Sequence, residues 1–268
     1  LESLFRRAAA SGAELAVAPE GALDGYVVMS IIEGSQPVER MYEAAVSLDG
    51  PEIRRFLDLA RELRMCMLFG LAQRLGTDVY NCAIFIDSLG QICGTYHKMQ
   101  LAEGYHDSWW FNRLGSRSRA FPTPFGKCGV LICNDRWNAD IARISVLDGA
   151  RYMLIPSYGS RSRNQDRAVL ARARENGIPI VEANVGVTLI VSKGEVVACE
   201  RRVNALTMAV IEVPAAPSTS HRDQHEHDFL RWREEEMLTR YKHGEAIRRT
   251  GIEHRADHDS QGRLVVVE

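Results

Sequence analysis

The chain has 268 residues, of which 46% are hydrophobic and 25% charged, and its formal net charge is -2. This composition is typical of a soluble globular protein with one large domain or two small ones. The near-neutral charge argues against nucleic acid or an anionic membrane as a partner, and no apolar run approaches the roughly 20 residues of a membrane span. The first helix-like stretch carries Glu2, Arg6 and Arg7, so the sequence does not predict a signal peptide.

Six cysteines are scattered along the chain, and no two of them form a Cys-x-x-Cys pair. They are Cys66, Cys82, Cys93, Cys128, Cys133 and Cys199. The spacings of zinc fingers and thioredoxin-like redox sites are therefore absent. Most of these cysteines lie in apolar, strand-like segments, which suits reduced thiols, so we expect a cytoplasmic protein.

The N-terminal part predicts two helices on either side of a short strand. Residues 2–12 have helical periodicity, and residues 14–18 form a short apolar strand. A loop over 19–26 follows, marked by a proline and two glycines. Pro51 begins a second helix at its first position, and apolar residues recur at helical spacing to Leu63.

The middle of the chain predicts a strand over 66–72 and a hairpin with strands over 79–87 and 91–96. An irregular, aromatic loop over 102–126 comes next. Beyond it, an apolar run over 128–133 predicts a buried strand that ends at Cys133.

The rest of the first 215 residues alternates helical and strand patterns. Helices are predicted at 138–148 and 164–176, and strands at 152–156, 178–183, 186–191, 195–199 and 207–213. This mixture of βα units and hairpins predicts a mixed sheet, or two sheets, covered by helices. It argues against a purely parallel dinucleotide-binding sheet.

The composition becomes polar after Pro214, so we divide the chain into a domain over 1–215 and a C-terminal extension over 216–268. Residues 228–248 predict a helix with a sparse apolar stripe made by Phe229, Trp232, Met237 and Tyr241. We expect this stripe to pack on the domain or on a partner subunit.

Three histidines in the extension, His221, His225 and His227, are close enough in sequence to suggest a metal cluster. A solvated tail is the favoured interpretation, because no carboxylate or cysteine stands in a familiar ligand spacing with them. We therefore predict no metal site.

Three predicted strands are each followed or ended by a chemically useful residue: Glu20, Lys98 and Cys133. Each one alone is more simply a loop charge, a solvated lysine or a core thiol. Together they could form a nucleophilic site: a carboxylate takes the thiol proton and returns it to the leaving amine. A nearby ammonium favours the thiolate and stabilises an oxyanion. The backbone N–H of Asn134, directly after the cysteine, would be a second oxyanion donor.

The sequence around these residues resembles the nitrilase, or carbon–nitrogen hydrolase, superfamily. The matching motifs are Pro19-Glu20 with Gly25-Tyr26, then Tyr80-Asn81, Gly90 and Tyr96–Leu101, then Leu131–Asp135, and finally Ala171–Gly177, Glu182–Asn184 and Gly194-Glu195. The resemblance covers roughly residues 2–213. Because several motifs occur in the family's order, it is far more specific than any one of them.

The resemblance implies that Glu20 is the general base and acid, Lys98 the oxyanion stabiliser and Cys133 the nucleophile. It implies an α+β fold, a four-layer αββα sandwich that usually pairs into dimers or larger assemblies. We therefore expect a homodimer or a higher homo-oligomer and no metal or organic cofactor.

The chain departs from the family pattern in two ways. The family begins with a strand before the first helix, which this chain lacks, so we expect the natural protein to be longer. The family also often places a second glutamate between the lysine and the cysteine. Glu103 is our choice for that position, with Asp107 as the alternative carboxylate.

Arg136 resembles the arginine that holds a substrate carboxylate in the N-carbamoyl-amino-acid amidohydrolase branch. The next position, where that branch tends to carry a second arginine, is Trp137. A structural salt bridge is the alternative role of Arg136. We also expect Tyr26, Tyr158 and Trp109 to contact the substrate, although core packing is an equal alternative for such aromatic residues.

The predicted function is hydrolysis of a linear non-peptide C–N bond in an amide or N-carbamoyl compound, through a thioester on Cys133. Nitrile hydrolysis is a variant of the same chemistry. Two further candidate functions are a glutaminase that supplies ammonia to a separate synthetase and a non-catalytic scaffold of the same fold.

Overall fold

A computed structural model describes residues 1–37, 39–100, 114–159, 161–216 and 223–235, together with two short backbone segments at 256–258 and 264–266. None of the helices in these ranges is long and apolar enough to cross a membrane.

The described helices are α1 (Glu2–Ala10), α2 (Val28–Ile32), α3 (Arg40–Ala44), α4 (Pro51–Leu63), α5 (Ala139–Leu147), α6 (Arg163–Asn176) and α7 (223–235), with a 3-10 helix at Cys133–Trp137. The strands are β1 (Leu15–Val17), β2 (Cys66–Leu75), β3 (Asp78–Ile86), β4 (Ile92–His97), β5 (Phe121–Thr123), β6 (Gly126–Val130), β7 (Tyr152–Ser157), β8 (Ile180–Asn184), β9 (Val187–Ser192), β10 (Glu195–Glu200), β11 (Ala256–His258) and β12 (Leu264–Val266).

Two mixed sheets form the main body, as the alternation of βα units and hairpins predicts. The first has the order β1-β2-β3-β4, in which β1 and β2 are parallel and the other pairs antiparallel. The second has the order β10-β9-β8-β7-β6-β5, with β6, β7 and β8 parallel and the outer pairs antiparallel. Strands β11 and β12 form a separate antiparallel pair.

The alternation of side chains along β2 divides the apolar core into two layers. Cys66 and Leu68 pack into a cluster between the two sheets, whereas Met67 and Phe69 pack into a cluster beneath α1 and α4. All four side chains are buried. Burying a large apolar side chain stabilises the fold by about 1.5–3 kcal/mol, so side chains on both faces of this strand stabilise the protein.

The outer face of the second sheet is covered by α5 and α6. Ile141 and Ile144 of α5 and Val169 of α6 are fully buried in the same cluster as β6 and β7. The resulting order of helices, sheet, sheet and helices agrees with the expected α+β sandwich.

Two strand predictions are wrong in their details. Strand β6 ends at Val130, and Cys133 begins the 3-10 helix rather than ending the strand. Residues 207–213 have the sequence pattern of a strand but are in no sheet, and Val210 is fully exposed. An alternating pattern makes a strand only where a neighbouring strand completes its hydrogen bonds. Strand β5, in turn, lies inside the stretch predicted as a loop.

The helix of the C-terminal extension begins earlier than predicted, at residue 223. Phe229 is buried in the main core cluster, as the first alternative for the apolar stripe predicts, whereas Trp232 is 39% exposed in this single chain. His225 and His227 lie on α7, while His221, Met237 and Tyr241 lie outside the described residues.

Candidate active site

Glu20 lies in the loop after β1, and only 1% of it is exposed. This loop crosses β2 at Gly70, where an added Cβ would come within 2.5 Å of the Glu20 Cα atom and 2.6 Å of the Gly21 nitrogen. Only glycine allows so close an approach between the strand and the loop. The sequence of β2 thus permits the buried placement of the carboxylate.

Four groups donate hydrogen bonds to the Glu20 carboxylate. Its Oε1 atom accepts from Lys98 Nζ at 2.8 Å, Asn81 Nδ2 at 2.6 Å and the Tyr26 hydroxyl at 3.3 Å. Its Oε2 atom accepts from the backbone N–H of Tyr158 at 2.9 Å. A buried carboxylate with this many donors is held as an acceptor in one orientation.

Lys98 follows β4 directly, and its side chain has no exposed surface. Its backbone N–H donates to the Asn81 carbonyl at 2.8 Å, and its carbonyl accepts from the Gly115 N–H at 2.9 Å. The backbone is therefore fixed on both sides of the residue. The ammonium is paired with the Glu20 carboxylate, as a buried charge requires.

Cys133 begins the 3-10 helix with a left-handed backbone, φ 47°, and is 6% exposed. A non-glycine residue in this region costs on the order of 1–3 kcal/mol, and such strain concentrates at functional sites. The Cys133 Sγ atom lies 3.6 Å from the Tyr158 carbonyl oxygen. Tyr158 thus binds the Glu20 carboxylate through its N–H and contacts the thiol through its carbonyl, and Lys98 joins this group through its ion pair with Glu20.

The rings of Tyr26 and Tyr158 stack beside Glu20, with centroids 4.3 Å apart and planes 22° apart. Tyr26 is buried and also has a left-handed backbone, φ 53°. Gly21 allows it to fold back, since a Cβ there would come within 2.5 Å of the Tyr26 ring. The two tyrosines form one wall next to the carboxylate.

Arg136 has a different environment from the one expected of a substrate anchor. Its side chain has no exposed surface, and its guanidinium donates to the Cys133 carbonyl at 2.6 Å, to the Ser157 hydroxyl at 2.6 Å and to the Glu182 carboxylate. Burial disfavours its charge, but Glu182, Cys133 and Glu20 together outweigh that effect and raise the pKa of Arg136. This geometry is that of the structural salt bridge, the alternative role of Arg136, and the anchor role stays a prediction.

Asp135 is fully buried and joins the cysteine turn to the chain after Lys98. Its carboxylate accepts from the Ile132 N–H at 3.0 Å, the Gln100 N–H at 2.8 Å and the Tyr96 hydroxyl at 2.8 Å. Burial raises the pKa of Asp135 to about 6, against the opposing effect of these donors and of Lys98.

The remaining predicted site residues are placed as follows. Asn134 follows Cys133 in the 3-10 helix and is 7% exposed. Glu103, Asp107 and Trp109 lie outside the described residues. Among the residues that the structure does describe, no group of three or more His, Cys, Asp or Glu side chains is arranged to hold a metal ion.

Sequence reasoning missed three residues that complete this arrangement: Asn81, Asp135 and Glu182. All three lie inside the motifs of the family resemblance, which was the signal that could have found them. Their contacts with Glu20, Gln100 and Arg136 span 35 to 61 residues of the chain, so no local pattern identifies those contacts.

Burial changes the acidity of five of the six thiols. It raises the pKa of each of these five, Cys66, Cys82, Cys93, Cys128 and Cys199. For Cys93 the pKa rises to about 11. A raised pKa lowers the fraction of thiolate, the reactive form, at neutral pH.

Comparison with curated proteins finds relatives that share about two thirds of the chain. The citrullinase of Francisella tularensis subsp. tularensis is 27% identical over 197 residues, which are 69% of this chain and 66% of that protein. The N-carbamoylputrescine amidase of Arabidopsis thaliana is 30% identical over 194 residues, 68% of this chain and 63% of that protein. The chain thus spans a little under two thirds of the length of these relatives.

Solved structures share the fold at low sequence identity. A carbon-nitrogen hydrolase from Helicobacter pylori G27 has a TM-score of 0.65 at 21% identity, covering 85% of each chain. A mutant amidase from Nesterenkonia sp. AN1, described with acrylamide added at its active-site cysteine, has a TM-score of 0.63 at 19% identity, covering 86% of this chain and 91% of that one.

The chain also matches the model of a protein family, and this match covers more of the chain than the matches to the two curated relatives. It runs over residues 1–216, which include both large sheets and Glu20, Lys98 and Cys133, and the family is described as carbon-nitrogen hydrolase. The chain belongs to the carbon-nitrogen hydrolase family.

Proposed function

We propose that this chain hydrolyses linear non-peptide C–N bonds through a covalent intermediate on Cys133. The observation that carries the proposal is the buried pair of Lys98 Nζ and Glu20 Oε1, 2.8 Å apart, with Cys133 Sγ across the backbone of Tyr158. A base, a cation and a thiol in one water-poor site are the parts that acyl transfer needs.

In the proposed mechanism, Glu20 takes the proton of the Cys133 thiol as sulfur attacks the substrate carbonyl carbon. The carbonyl π electrons move to oxygen, and the oxyanion is held by the Lys98 ammonium and the Asn134 N–H. When the C–N bond breaks, Glu20 returns the proton to the leaving nitrogen, and ammonia or an amine departs. A thioester, or a carbamoyl thioester, remains on Cys133.

Water completes the cycle. Glu20 takes one proton from the water as its oxygen attacks the thioester carbon, and the same two groups hold the second oxyanion. The C–S bond then breaks, the sulfur regains the proton, and the acid is released. Because Glu20 binds Lys98 and the Tyr158 N–H as well, its position is maintained through both half-reactions.

The substrate class that we propose is an N-carbamoyl amine or a simple amide. Two relatives at 27% and 30% identity are named for citrulline and N-carbamoylputrescine, which supports the carbamoyl group. The buried position of Arg136 removes the reason to restrict the substrate to N-carbamoyl amino acids. We propose Tyr26 and Tyr158 as contacts for the substrate, since their stacked rings lie beside the carboxylate.

We also propose that the protein works in the cytoplasm as a homodimer or higher homo-oligomer. All six cysteines are free thiols, which suits a reducing compartment. Apolar side chains are exposed close together in sequence at Val196, Val197, Val203, Leu206, Met208 and Val210, which suits a protein contact. Light scattering on the purified chain, against its 30.0 kDa mass, tests the assembly.

The decisive experiment measures ammonia release from amides, N-carbamoyl amines and nitriles by the wild type, Cys133→Ala and Glu20→Gln. We expect no turnover by Cys133→Ala and a fall in kcat of about 100- to 10,000-fold for Glu20→Gln, the usual contribution of a general base. Circular dichroism should show both variants folded. Normal rates in Cys133→Ala would refute the mechanism.

A labelling experiment separates an enzyme from a scaffold. Iodoacetamide at neutral pH should modify Cys133 first, because the proposed mechanism activates its thiol, whereas burial raises the pKa of the five other thiols. The control is Cys199→Ser, which removes an exposed thiol and should leave the rapid labelling phase intact. Equal labelling of all six cysteines in the folded protein would favour the scaffold.

A further inference from the structure

The residues directly after Lys98 are held by a helix that lies outside the family match. That match ends at residue 216, and α7 occupies residues 223–235. Arg233 of α7 donates from one guanidinium nitrogen to the Met99 carbonyl at 3.3 Å and to the Gly115 carbonyl at 2.5 Å. One side chain therefore joins two chain segments that are 16 residues apart.

These two segments meet at Lys98. The Gly115 N–H donates to the Lys98 carbonyl at 2.9 Å, and an added Cβ at Gly115 would lie 2.1 Å from the His97 carbonyl oxygen. Gly115 thus lies in close contact with the backbone of His97 and Lys98. A group that fixes the Gly115 and Met99 carbonyls also fixes the direction in which the Lys98 side chain leaves the sheet.

Helix α7 is itself anchored on the face that presents Arg233. Phe229, one turn earlier, is 1% exposed and belongs to the core cluster that contains residues of both sheets. Glu226, two turns earlier, accepts from the Ser118 N–H at 3.3 Å and from Arg119 at 2.7 Å. The Arg233 guanidinium carbon lies 5.9 Å from the centre of the Phe229 ring. The helix is docked by one apolar and one charged contact, which together determine where the guanidinium lies.

The opposite side of the same backbone is held by the cysteine turn. The Gln100 N–H donates to Asp135 at 2.8 Å, and Asp135 also binds the Ile132 N–H next to Cys133. The peptide between Met99 and Gln100 therefore has its carbonyl on Arg233 and its N–H on Asp135. With both ends fixed, Lys98 keeps a constant position relative to Cys133.

We infer that Arg233 is a positioning residue for the reaction. Helix α7 then supports the active site, because it carries the side chain that fixes the backbone around Lys98. This inference rests on the proposed function of Lys98 as the oxyanion stabiliser. An ammonium that has shifted still allows the substrate to bind, but it stabilises the transition state less well. Loss of Arg233 should therefore lower kcat while KM stays nearly constant.

The test compares Arg233→Met with Arg231→Met, a control on the same helix whose side chain is 67% exposed. Active sites are first counted by iodoacetamide labelling of Cys133, and kcat is expressed per labelled site. We expect kcat of Arg233→Met to fall about tenfold, within the roughly 100-fold that a 1 Å misplacement can cost. Arg231→Met should match the wild type, and Arg233→Lys should recover part of the loss.

Amide hydrogen exchange gives a readout that does not depend on turnover. Exchange at Gln100 and Gly115 should accelerate in Arg233→Met and stay unchanged in Arg231→Met. If Arg233→Met does not fold, two milder changes replace it: Arg233→Lys weakens the contact itself, and Glu226→Gln weakens the attachment of α7, and both should lower kcat per site. Glu226→Gln acts only through the docking of α7.

The outcomes are distinct. A variant with lower thermal stability but unchanged kcat per labelled site would overturn the inference, because Arg233 would then be structural only. Unchanged exchange at Gln100 and Gly115 would overturn it as well. If the wild type hydrolyses none of the substrates, the proposed function fails, while the exchange experiment still decides whether Arg233 fixes the backbone around Lys98.

Discussion

At the scale of single residues, the centre of this protein consists of buried charges that hold one another. The Glu20–Lys98 and Arg136–Glu182 pairs have almost no exposed surface. Removing one member of such a pair leaves the other charge unpaired in a medium of low dielectric constant. The first pair holds the proposed base and oxyanion stabiliser, and the second fixes the backbone of the cysteine.

Arg136→Met should lower the free energy of unfolding by about 3–5 kcal/mol, because the Glu182 carboxylate would remain buried without its counter-charge. Urea denaturation measures the change. Adding Glu182→Met to this variant should recover part of the loss, since no charge is then left unpaired. Arg143→Met, on the exposed side of α5, is the control and should change little. Wild-type stability combined with a raised KM for carboxylate-bearing substrates would instead restore the role of Arg136 as an anchor.

Asp135 should make the stability depend on pH in a direction unusual for an aspartate. Burial raises its pKa to about 6 in the folded protein, from 3.8 for the free group. The folded state therefore binds the proton more tightly than the unfolded state does. The stability that this proton contributes is fully present below pH 3.8 and is lost as the pH rises through about 6.

The measurement is the difference in unfolding free energy between the wild type and Asp135→Asn across this pH range. As the pH rises, the wild type should lose stability relative to Asp135→Asn, because asparagine does not titrate. Asp140→Asn, at an exposed position of α5, provides the control series. If the wild type instead becomes more stable relative to Asp135→Asn as the pH rises, the raised pKa is contradicted.

At the scale of elements, the proposed triad comes from three segments that each follow a strand. Glu20 follows β1, Lys98 follows β4, and Cys133 follows β6 after two further residues. The first two belong to one sheet and the third to the other. The relative position of base and nucleophile therefore depends on how closely the loop after β1 approaches β2.

Gly70→Ala tests that dependence. The new Cβ would meet backbone atoms of Glu20 and Gly21 at 2.5 and 2.6 Å, so the loop and the strand must separate. We expect kcat to fall by up to about 100-fold, as for a misplacement of about 1 Å, together with a lower melting temperature. Leu75→Ala at the exposed end of β2 should have little effect on either quantity. Wild-type kcat in Gly70→Ala would show that the loop position is not critical.

At the scale of the whole molecule, the C-terminal helix shares the core of the main body. Phe229 is buried among residues of both sheets, although it lies beyond the family match. Phe229→Ala should lower the free energy of unfolding by about 3–5 kcal/mol, the usual cost of a large cavity. Trp232→Ala, at a residue 39% exposed on the same helix, should cost much less. Denaturation curves of the two variants that coincide would contradict a shared core.

Much of this architecture follows from local sequence. The hairpin of β3 and β4, the helix that begins at Pro51 and the polar loop around Glu20 each have their own periodicity or turn residues, so local physical chemistry determines them. The positions of Glu20 and Lys98 just beyond strands follow for the same reason. The sequence by itself also determined the family, because its motifs occur in a defined order.

Only the tertiary structure decided what these residues touch. From the sequence, Arg136 suits a substrate anchor or a structural salt bridge, and its contact with Glu182, 46 residues away, is visible only in the structure. Residues 207–213 have the pattern of a strand, but no neighbouring strand completes it in the part of the chain that the structure describes. Arg233 reaches Met99 across 134 residues. Burial and pairing depend on contacts distant in sequence, and local propensity carries no information about them.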